Sequence, residues 1–124
     1  MLTTARVADD EPHDLFRSFV ALYPGCPSRK DDADWRPTAK VMILIGEEDD
    51  WTPAAPCHEL ASRLPNEVAL VAYPGAYHDF DVPDRPVRLR SGVATAPNGQ
   101  AHVGTNEPAR LDALARVLKW LEVR

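Results

Sequence analysis

A histidine and an aspartate that follow separate apolar runs are the residues of this sequence best suited to chemistry. His78 lies between two aromatic residues in AYPGAYHDFD (72–81), and Asp49 lies in the acidic segment GEEDDWTP (46–53). A carboxylate beside an imidazole fixes the tautomer of the ring and stabilises the imidazolium that forms when the ring takes a proton. The two residues could therefore be the acid and base of a catalytic triad. His78 could also be an ordinary loop histidine that bonds to a neighbouring backbone group.

The neighbours of this pair leave alternatives open. Glu47, Glu48 and Asp50 flank Asp49, and the whole group could be no more than a solvated acidic turn. Three aromatic residues lie close to the pair in sequence: Trp51, Tyr77 and Phe80. They could line an apolar pocket for an acyl group, or they could simply pack beneath the two loops.

A nucleophile for His78 to activate is harder to find. Cys26 and Ser28 follow an apolar run, but a reactive thiol or hydroxyl needs a base within hydrogen-bonding distance and an oxyanion hole. Neither is visible beside them, so we interpret both as structural. Cys57 falls on the apolar face of a predicted helix and is interpreted as a core residue. The two cysteines and four histidines show neither a disulfide framework nor the spacing of metal ligands. We therefore expect free cysteines and no metal or other cofactor.

Alternating strand and helix patterns predict the elements that position these residues. Apolar strands are predicted over 17–23, 40–45 and 67–73, and the second is nearly continuous, as in strands buried on both faces. A helix is predicted over 53–64, with prolines in its first turn. This alternation is typical of an α/β fold with parallel strands and right-handed crossovers. The loops after the second and third strands then emerge at the same edge, where open α/β sheets place their sites.

The C-terminal third is predicted to hold a ribbon and a second helix. Asn98-Gly99 is a hairpin turn signal, so 82–104 is expected to contain a small β-ribbon. Three arginines in this segment could attract an acidic substrate, although they fit the exposed face of a ribbon better: Arg85, Arg88 and Arg90. The helix is predicted over 107–122, with Thr105 or Asn106 as its cap. Four leucines line one face of it: Leu111, Leu114, Leu118 and Leu121.

Length and composition limit the classes of function. A chain of 124 residues suits one modest domain. The net charge of −5 argues against nucleic acid or an anionic membrane as a partner. No apolar run approaches the roughly 18 residues of a membrane span, and the first residues lack the basic and apolar blocks of a signal peptide. The cytosol is therefore the default location, unless the chain is part of something longer, in which case the location stays open.

Three segments of the sequence resemble the dienelactone hydrolase family, a branch of the α/β-hydrolases. They are FRSFVALYPGCPS (16–28), ADWRPTAKVMILIGEEDDWTPAAPCHELA (33–61) and VALVAYPGAYHDFDVP (68–83). In that family the pattern Gly-x-x-Asp-x-x-x-Pro presents the triad acid, and here Gly46, Asp49 and Pro53 fill it. A His-x-Phe turn presents the base, and here His78 and Phe80 fill it. The resemblance implies hydrolysis of esters or lactones through a cysteine or serine acyl-enzyme, without a metal.

The sequence departs from that family at the nucleophile. No Gly-x-Cys/Ser-x-Gly elbow occurs among the six glycines, and the oxyanion hole would depend on the same absent region. We therefore interpret the chain as one incomplete domain, the C-terminal half of an α/β-hydrolase fold with about three parallel strands. Residues 1–14 are expected to be a remnant of the helix that follows the elbow, or disordered.

An incomplete domain of this kind leaves three possible roles. Three strands are few, since sheets usually have about four to six, and a central-type strand left at an edge invites pairing. The primary expectation is that the chain carries Asp49 and His78 of an ester or lactone hydrolase and is inactive alone. One alternative is an enzyme that a second chain completes by supplying the N-terminal half. The other is a non-catalytic module that self-associates, for example as a homodimer.

Overall fold

The elements follow one another in the order that the sequence predicts. A computed structural model describes residues 16–28 and 33–122. Its main strands are β1 (Ser18–Leu22), β2 (Lys40–Gly46) and β3 (Val68–Tyr73). A helix, α1 (Ala54–Arg63), connects β2 to β3. The prediction made for residues 1–14 lies outside the described residues.

The three main strands form one parallel sheet in the order β1-β2-β3. Val20 lies opposite Met42, and Met42 in turn lies opposite Ala69. The central strand β2 is buried from Val41 onward, which explains its nearly continuous apolar sequence. The prediction of a partial α/β fold with parallel strands is confirmed.

Side chains that alternate along β2 pack on opposite faces of the sheet. Ile43 and Ile45 pack with Leu60 of α1. Leu44 packs on the other face with Phe80 and with residues of the C-terminal helix, α2 (Glu107–Glu122). This alternation follows from the two-residue period of a strand. The sheet is thus covered by one helix on each face.

The helix α2 packs by its small residues and leaves its leucines outside. Ala109 and Ala113 are buried against the sheet, with Val117 and Trp120 partly buried beside them. The four leucines share one face, as predicted, but that face is exposed: Leu111, Leu114, Leu118 and Leu121 each have more than half of their surface accessible. An apolar helical face without a partner among the described residues is unusual, because such faces normally pack against another element.

The predicted ribbon is present, with a longer connection than a two-residue hairpin. The strands β4 (Arg88–Ser91) and β5 (Gln100–Val103) pair antiparallel. The connection spans residues 92–99, and Asn98 and Gly99 in it have φ values of 58° and 67°. The two residues adopt the left-handed conformation, but they do not form a two-residue hairpin turn, since they lie at the end of an eight-residue loop.

The expectation of free cysteines is wrong. Cys26 and Cys57 form a disulfide, with their Cα atoms 5.2 Å apart and a sequence separation of 31. It joins the loop after β1 to α1, because the end of β1 and the start of α1 lie at the same edge of the sheet. Cys57 is also fully buried, as predicted for a core residue. In the chain-entropy model, a crosslink that closes a loop of this length stabilises a fold by about 3–4 kcal/mol.

Candidate active site

Two loops at the carboxyl edge of the sheet bring the predicted acid and base together. Asp49 follows the end of β2, and His78 follows the end of the adjacent parallel strand β3. The backbone N–H of Glu48 donates to the Ala76 carbonyl at 3.0 Å. Gly46 permits this approach, since a Cβ there would lie 2.2 Å from the same carbonyl oxygen. Steric exclusion of a side chain therefore explains why glycine occupies this position of the Gly-x-x-Asp pattern.

Asp49 and His78 are in direct contact. Asp49 Oδ2 lies 2.9 Å from His78 Nδ1, and the Asp49 side chain is fully buried while that of His78 is 12% exposed. The other carboxylate oxygen, Oδ1, accepts the backbone N–H groups of Trp51 at 2.8 Å and Thr52 at 2.7 Å. A buried carboxylate is costly unless hydrogen bonds compensate it, and here both of its oxygens have donors.

This contact fixes the chemistry that the ring can do. An ionised carboxylate only accepts hydrogen bonds, so Nδ1 of His78 carries a proton and donates it to Asp49. The opposite nitrogen, Nε2, has no hydrogen-bond partner among the described residues. It is therefore available to take a proton from a group placed beside it. This is the arrangement of a general base with its orienting acid.

Two aromatic rings contact the imidazole. Trp51 stacks on His78 with ring centroids 4.6 Å apart, and Tyr23 lies 4.4 Å away at a tilt of 53°. The Tyr23 hydroxyl donates to Asp81 at 2.9 Å. Burial, aided by the Asp81 carboxylate, raises the pKa of this hydroxyl well above its usual value. Tyr23 therefore stays neutral and serves as a packing and hydrogen-bonding residue.

Sequence reasoning missed two residues of the site, Tyr23 and Thr52. Thr52 Oγ1 lies 3.1 Å from His78 Nδ1 and 3.2 Å from Asp49 Oδ2, and it donates to the Tyr23 carbonyl at 3.0 Å. The only signals in the sequence are positional. Thr52 lies three residues after Asp49, and Tyr23 is the last residue of the strand predicted over 17–23. Neither residue type indicates a role by itself.

The three aromatic residues suggested for a pocket lie in different environments. Trp51 contacts His78 directly. Tyr77 stacks instead on His102, with ring centroids 4.8 Å apart. Phe80 is fully buried and belongs to the core beneath α2, which favours the packing interpretation for that residue.

Two of the three acidic residues that flank Asp49 pair with other histidines. Asp50 Oδ2 lies 2.6 Å from His102 Nδ1, and Asp50 Oδ1 accepts the His102 backbone N–H at 2.8 Å. Burial raises the pKa of Asp50, but the hydrogen bonds from His102 outweigh this effect and the pKa is lowered overall. Glu47 pairs with His58 at the surface. Asp49 is thus the carboxylate that contacts His78.

The arginines of the ribbon lie at the margin of the site. The Arg90 guanidinium lies over the Trp51 ring, 5.3 Å from its centroid. Arg85 and Arg88 line a surface pocket of about 280 Å³ together with Asp79. Cys26 offers no thiol because it is part of the disulfide. In the described part of the chain, no group of three or more histidine, cysteine and carboxylate side chains has the geometry of a metal site.

Comparison with known proteins bears on the resemblance seen in the sequence. No curated protein and no solved structure matches the chain significantly. Neither described helix has the length and hydropathy needed to cross a membrane. The family model that describes dienelactone hydrolases matches residues 4–123, which is nearly the whole sequence. The chain therefore belongs to the dienelactone hydrolase family and is a hydrolase-type domain.

Proposed function

We propose that this chain supplies the acid and the base of an enzyme that hydrolyses carboxylic esters or lactones of small molecules. The observation that carries the proposal is the 2.9 Å contact between buried Asp49 and His78 at the carboxyl edge of a parallel sheet. Asp49 is the orienting acid and His78 the general base. Trp51 stacks on His78 and borders the space for the acyl group, with Tyr77 further out.

The proposed reaction is an acyl transfer in two steps. His78 Nε2 takes the proton of a cysteine or serine nucleophile as that group attacks the carbonyl carbon. The ester C–O bond then breaks, and the imidazolium returns the proton to the departing oxygen. Water attacks the acyl-enzyme with the same proton shuttle, which releases the acid and regenerates the nucleophile. Asp49 stabilises the imidazolium in both steps.

The nucleophile is proposed to come from a polypeptide segment that is not among these 124 residues. The sequence contains no Gly-x-Cys/Ser-x-Gly elbow, and the members of a triad act as a unit. We therefore expect the isolated chain to show no ester turnover that depends on His78. In this interpretation residues 1–124 form one incomplete domain.

Two features support completion by a second polypeptide half. In the described residues β1 pairs with β2 alone, so its other edge has backbone groups left to pair. The exposed leucine face of α2 adjoins this edge through an apolar pocket of about 160 Å³, which is lined by Leu22 of β1 and Leu114 of α2 among others. Self-association through the same surface, as a homodimer, is the competing candidate, and it would leave the site without a nucleophile.

Complementation tests the proposal. The purified chain is mixed with the N-terminal half of an intact dienelactone hydrolase family member, cut before the strand that corresponds to β1, and hydrolysis of an activated ester is followed. We expect turnover in the mixture and none with either half alone. His78→Ala should abolish the gain, whereas His58→Ala, a histidine paired at the surface, should retain it. Turnover by the chain alone that His78→Ala abolishes would refute the need for an external nucleophile.

The disulfide bears on location. Structural disulfides persist in oxidising compartments and are rare in the cytosol. Because Cys26 and Cys57 are joined, we propose that the chain works in an oxidising compartment rather than at the default cytosolic location. Fractionation with thiol labelling of the native protein tests this, since free thiols in the native pool would contradict it.

A further inference from the structure

The hydroxyl of Thr52 lies at the centre of the contacts that hold His78. Its oxygen is within hydrogen-bonding distance of the His78 ring, the Asp49 carboxylate and the Tyr23 carbonyl, at 3.1, 3.2 and 3.0 Å. The threonine backbone is fixed as well, because its N–H donates to Asp49 Oδ1. Thr52 is therefore held through both its backbone N–H and its side-chain hydroxyl.

The directions of these hydrogen bonds follow from the donors available. His78 Nδ1 carries a proton because the Asp49 carboxylate can only accept. The Thr52 oxygen must then accept a second branch of the same Nδ1–H, since two donors cannot face each other. The single proton of the hydroxyl is left for the Tyr23 carbonyl, the nearer acceptor at 3.0 Å, with Asp49 Oδ2 at 3.2 Å as the second choice. Both choices leave Thr52 as an acceptor toward His78.

We propose that Thr52 is a positioning residue that fixes His78 in the tautomer protonated at Nδ1. Trp51 stacks on the ring and Tyr23 packs against it at a tilt, so both restrict its tilting. Asp49 and Thr52 both contact His78 Nδ1. These contacts restrict rotation in the ring plane and disfavour the tautomer protonated at Nε2. The inference rests on the proposed function of His78 as a base, because only this tautomer leaves Nε2 free to take a proton.

The strained backbone at Tyr23 serves the same arrangement. Tyr23 has a φ of 40°, a left-handed conformation that residues other than glycine seldom adopt. Its N–H still bonds to the Leu44 carbonyl at 2.7 Å, while its own carbonyl accepts the Thr52 hydroxyl. The left-handed conformation of Tyr23 thus places its carbonyl where it can accept the Thr52 hydroxyl proton. The lone pairs of the Thr52 oxygen are then left to face His78.

The tautomer can be measured in the isolated chain, without any turnover. Two-bond ¹H–¹⁵N spectra of the imidazole report which nitrogen carries the proton, at a pH where the ring is neutral. In the unmodified chain we expect His78 protonated at Nδ1. Thr52→Val removes the acceptor and should raise the ratio of Nε2–H to Nδ1–H tautomer about fivefold, the value of one ordinary hydrogen bond. Thr52→Ser should restore the original ratio.

The controls separate positioning from folding. Thr38→Val makes the same change before β2, at the opposite end of the sheet, and should leave His78 unchanged. The His102 resonances, from the separate pair with Asp50, report whether the site region is intact. If Thr52→Val does not fold, Thr52→Ala gives the decision. An unchanged His78 tautomer in a folded variant without the hydroxyl would overturn the inference. If the tautomer shifts as expected but complementation fails, the proposed function falls and the positioning role of Thr52 stands.

Discussion

Asp50 and His102 form a second acid–histidine pair directly beside Asp49 and His78. Asp50 Oδ2 lies 2.6 Å from His102 Nδ1 and Asp49 Oδ2 lies 2.9 Å from His78 Nδ1, so two consecutive carboxylates hold two histidines from different elements. The second pair joins the loop after β2, which carries both aspartates, to β5. The Gly104 N–H also donates to the His78 carbonyl at 3.1 Å, which joins the end of β5 to the loop after β3. The ribbon is therefore attached to both halves of the site.

The Asp50–His102 pair should make stability depend on pH in the acid range. The folded-state pKa of Asp50 is lowered from its usual value of 3.8. Its contribution is therefore fully present above that value and is lost as the pH falls through the lower folded-state pKa. Because both side chains are more than a third exposed, we expect a contribution of about 0.5–1 kcal/mol. Urea unfolding from pH 5 down to pH 2.5 measures it.

His102→Ala is the variant that isolates this contribution. It should lower the free energy of unfolding at pH 5 and make the acid limb less steep, because the hydrogen bonds that lower the pKa of Asp50 are lost. Parallel acid limbs for the unmodified chain and His102→Ala would show that the pair does not couple to folding.

Gly46 should tolerate no side chain. A Cβ there would lie 2.2 Å from the Ala76 carbonyl oxygen, so Gly46→Ala must push the loops of Asp49 and His78 apart. Such overpacking typically costs about 1–3 kcal/mol. Gly25→Ala is the matched control, because its nearest neighbour would be the Thr52 methyl group at 3.9 Å. Calorimetry should show a clear drop in Tm for the first variant and little change for the second. Equal Tm values would contradict the steric argument.

The sequence was sufficient for the elements that local pattern determines. The apolar run at 40–45 predicted β2 within one residue, and parallel topology then placed Asp49 and His78 at one edge. The pairing itself follows because successive parallel strands end at the same side of a sheet. The exposure of Arg88 and Arg90 in β4 agrees with the prediction of an exposed ribbon.

Contacts between distant segments could not be predicted in this way. The disulfide depends on how the chain after β1 folds back on α1, and two cysteines 31 residues apart give no sign of it. The period of the four leucines predicts that they share one face of α2, but not whether another element covers that face. The helix instead uses Ala109 and Ala113, because small residues let it approach the sheet closely. Thr52 and Tyr23 owe their positions to tertiary geometry, which residue type does not reveal.

Removal of the disulfide should destabilise the chain without changing its fold. Cys26→Ala with Cys57→Ala should lower the free energy of unfolding by about 3–4 kcal/mol, the effect expected for a loop of this length. A reducing agent should produce a similar loss in the unmodified chain and none in the double variant. Urea unfolding with and without the agent measures both. A double variant as stable as the unmodified chain would show that the crosslink does not stabilise this fold.

The leucine face of α2 should matter for assembly and not for the stability of the isolated chain. Leu114 and Leu118 are 52% and 61% exposed, so Leu114→Gln with Leu118→Gln should change the free energy of unfolding by less than about 0.5 kcal/mol. In the complementation experiment the same pair should cost at least tenfold in restored turnover, because the apolar surface against the added half is lost. Leu89→Gln on the ribbon, 49% exposed, is the matched control and should retain turnover. If the double variant complements as well as the unmodified chain, the N-terminal half does not dock on this face.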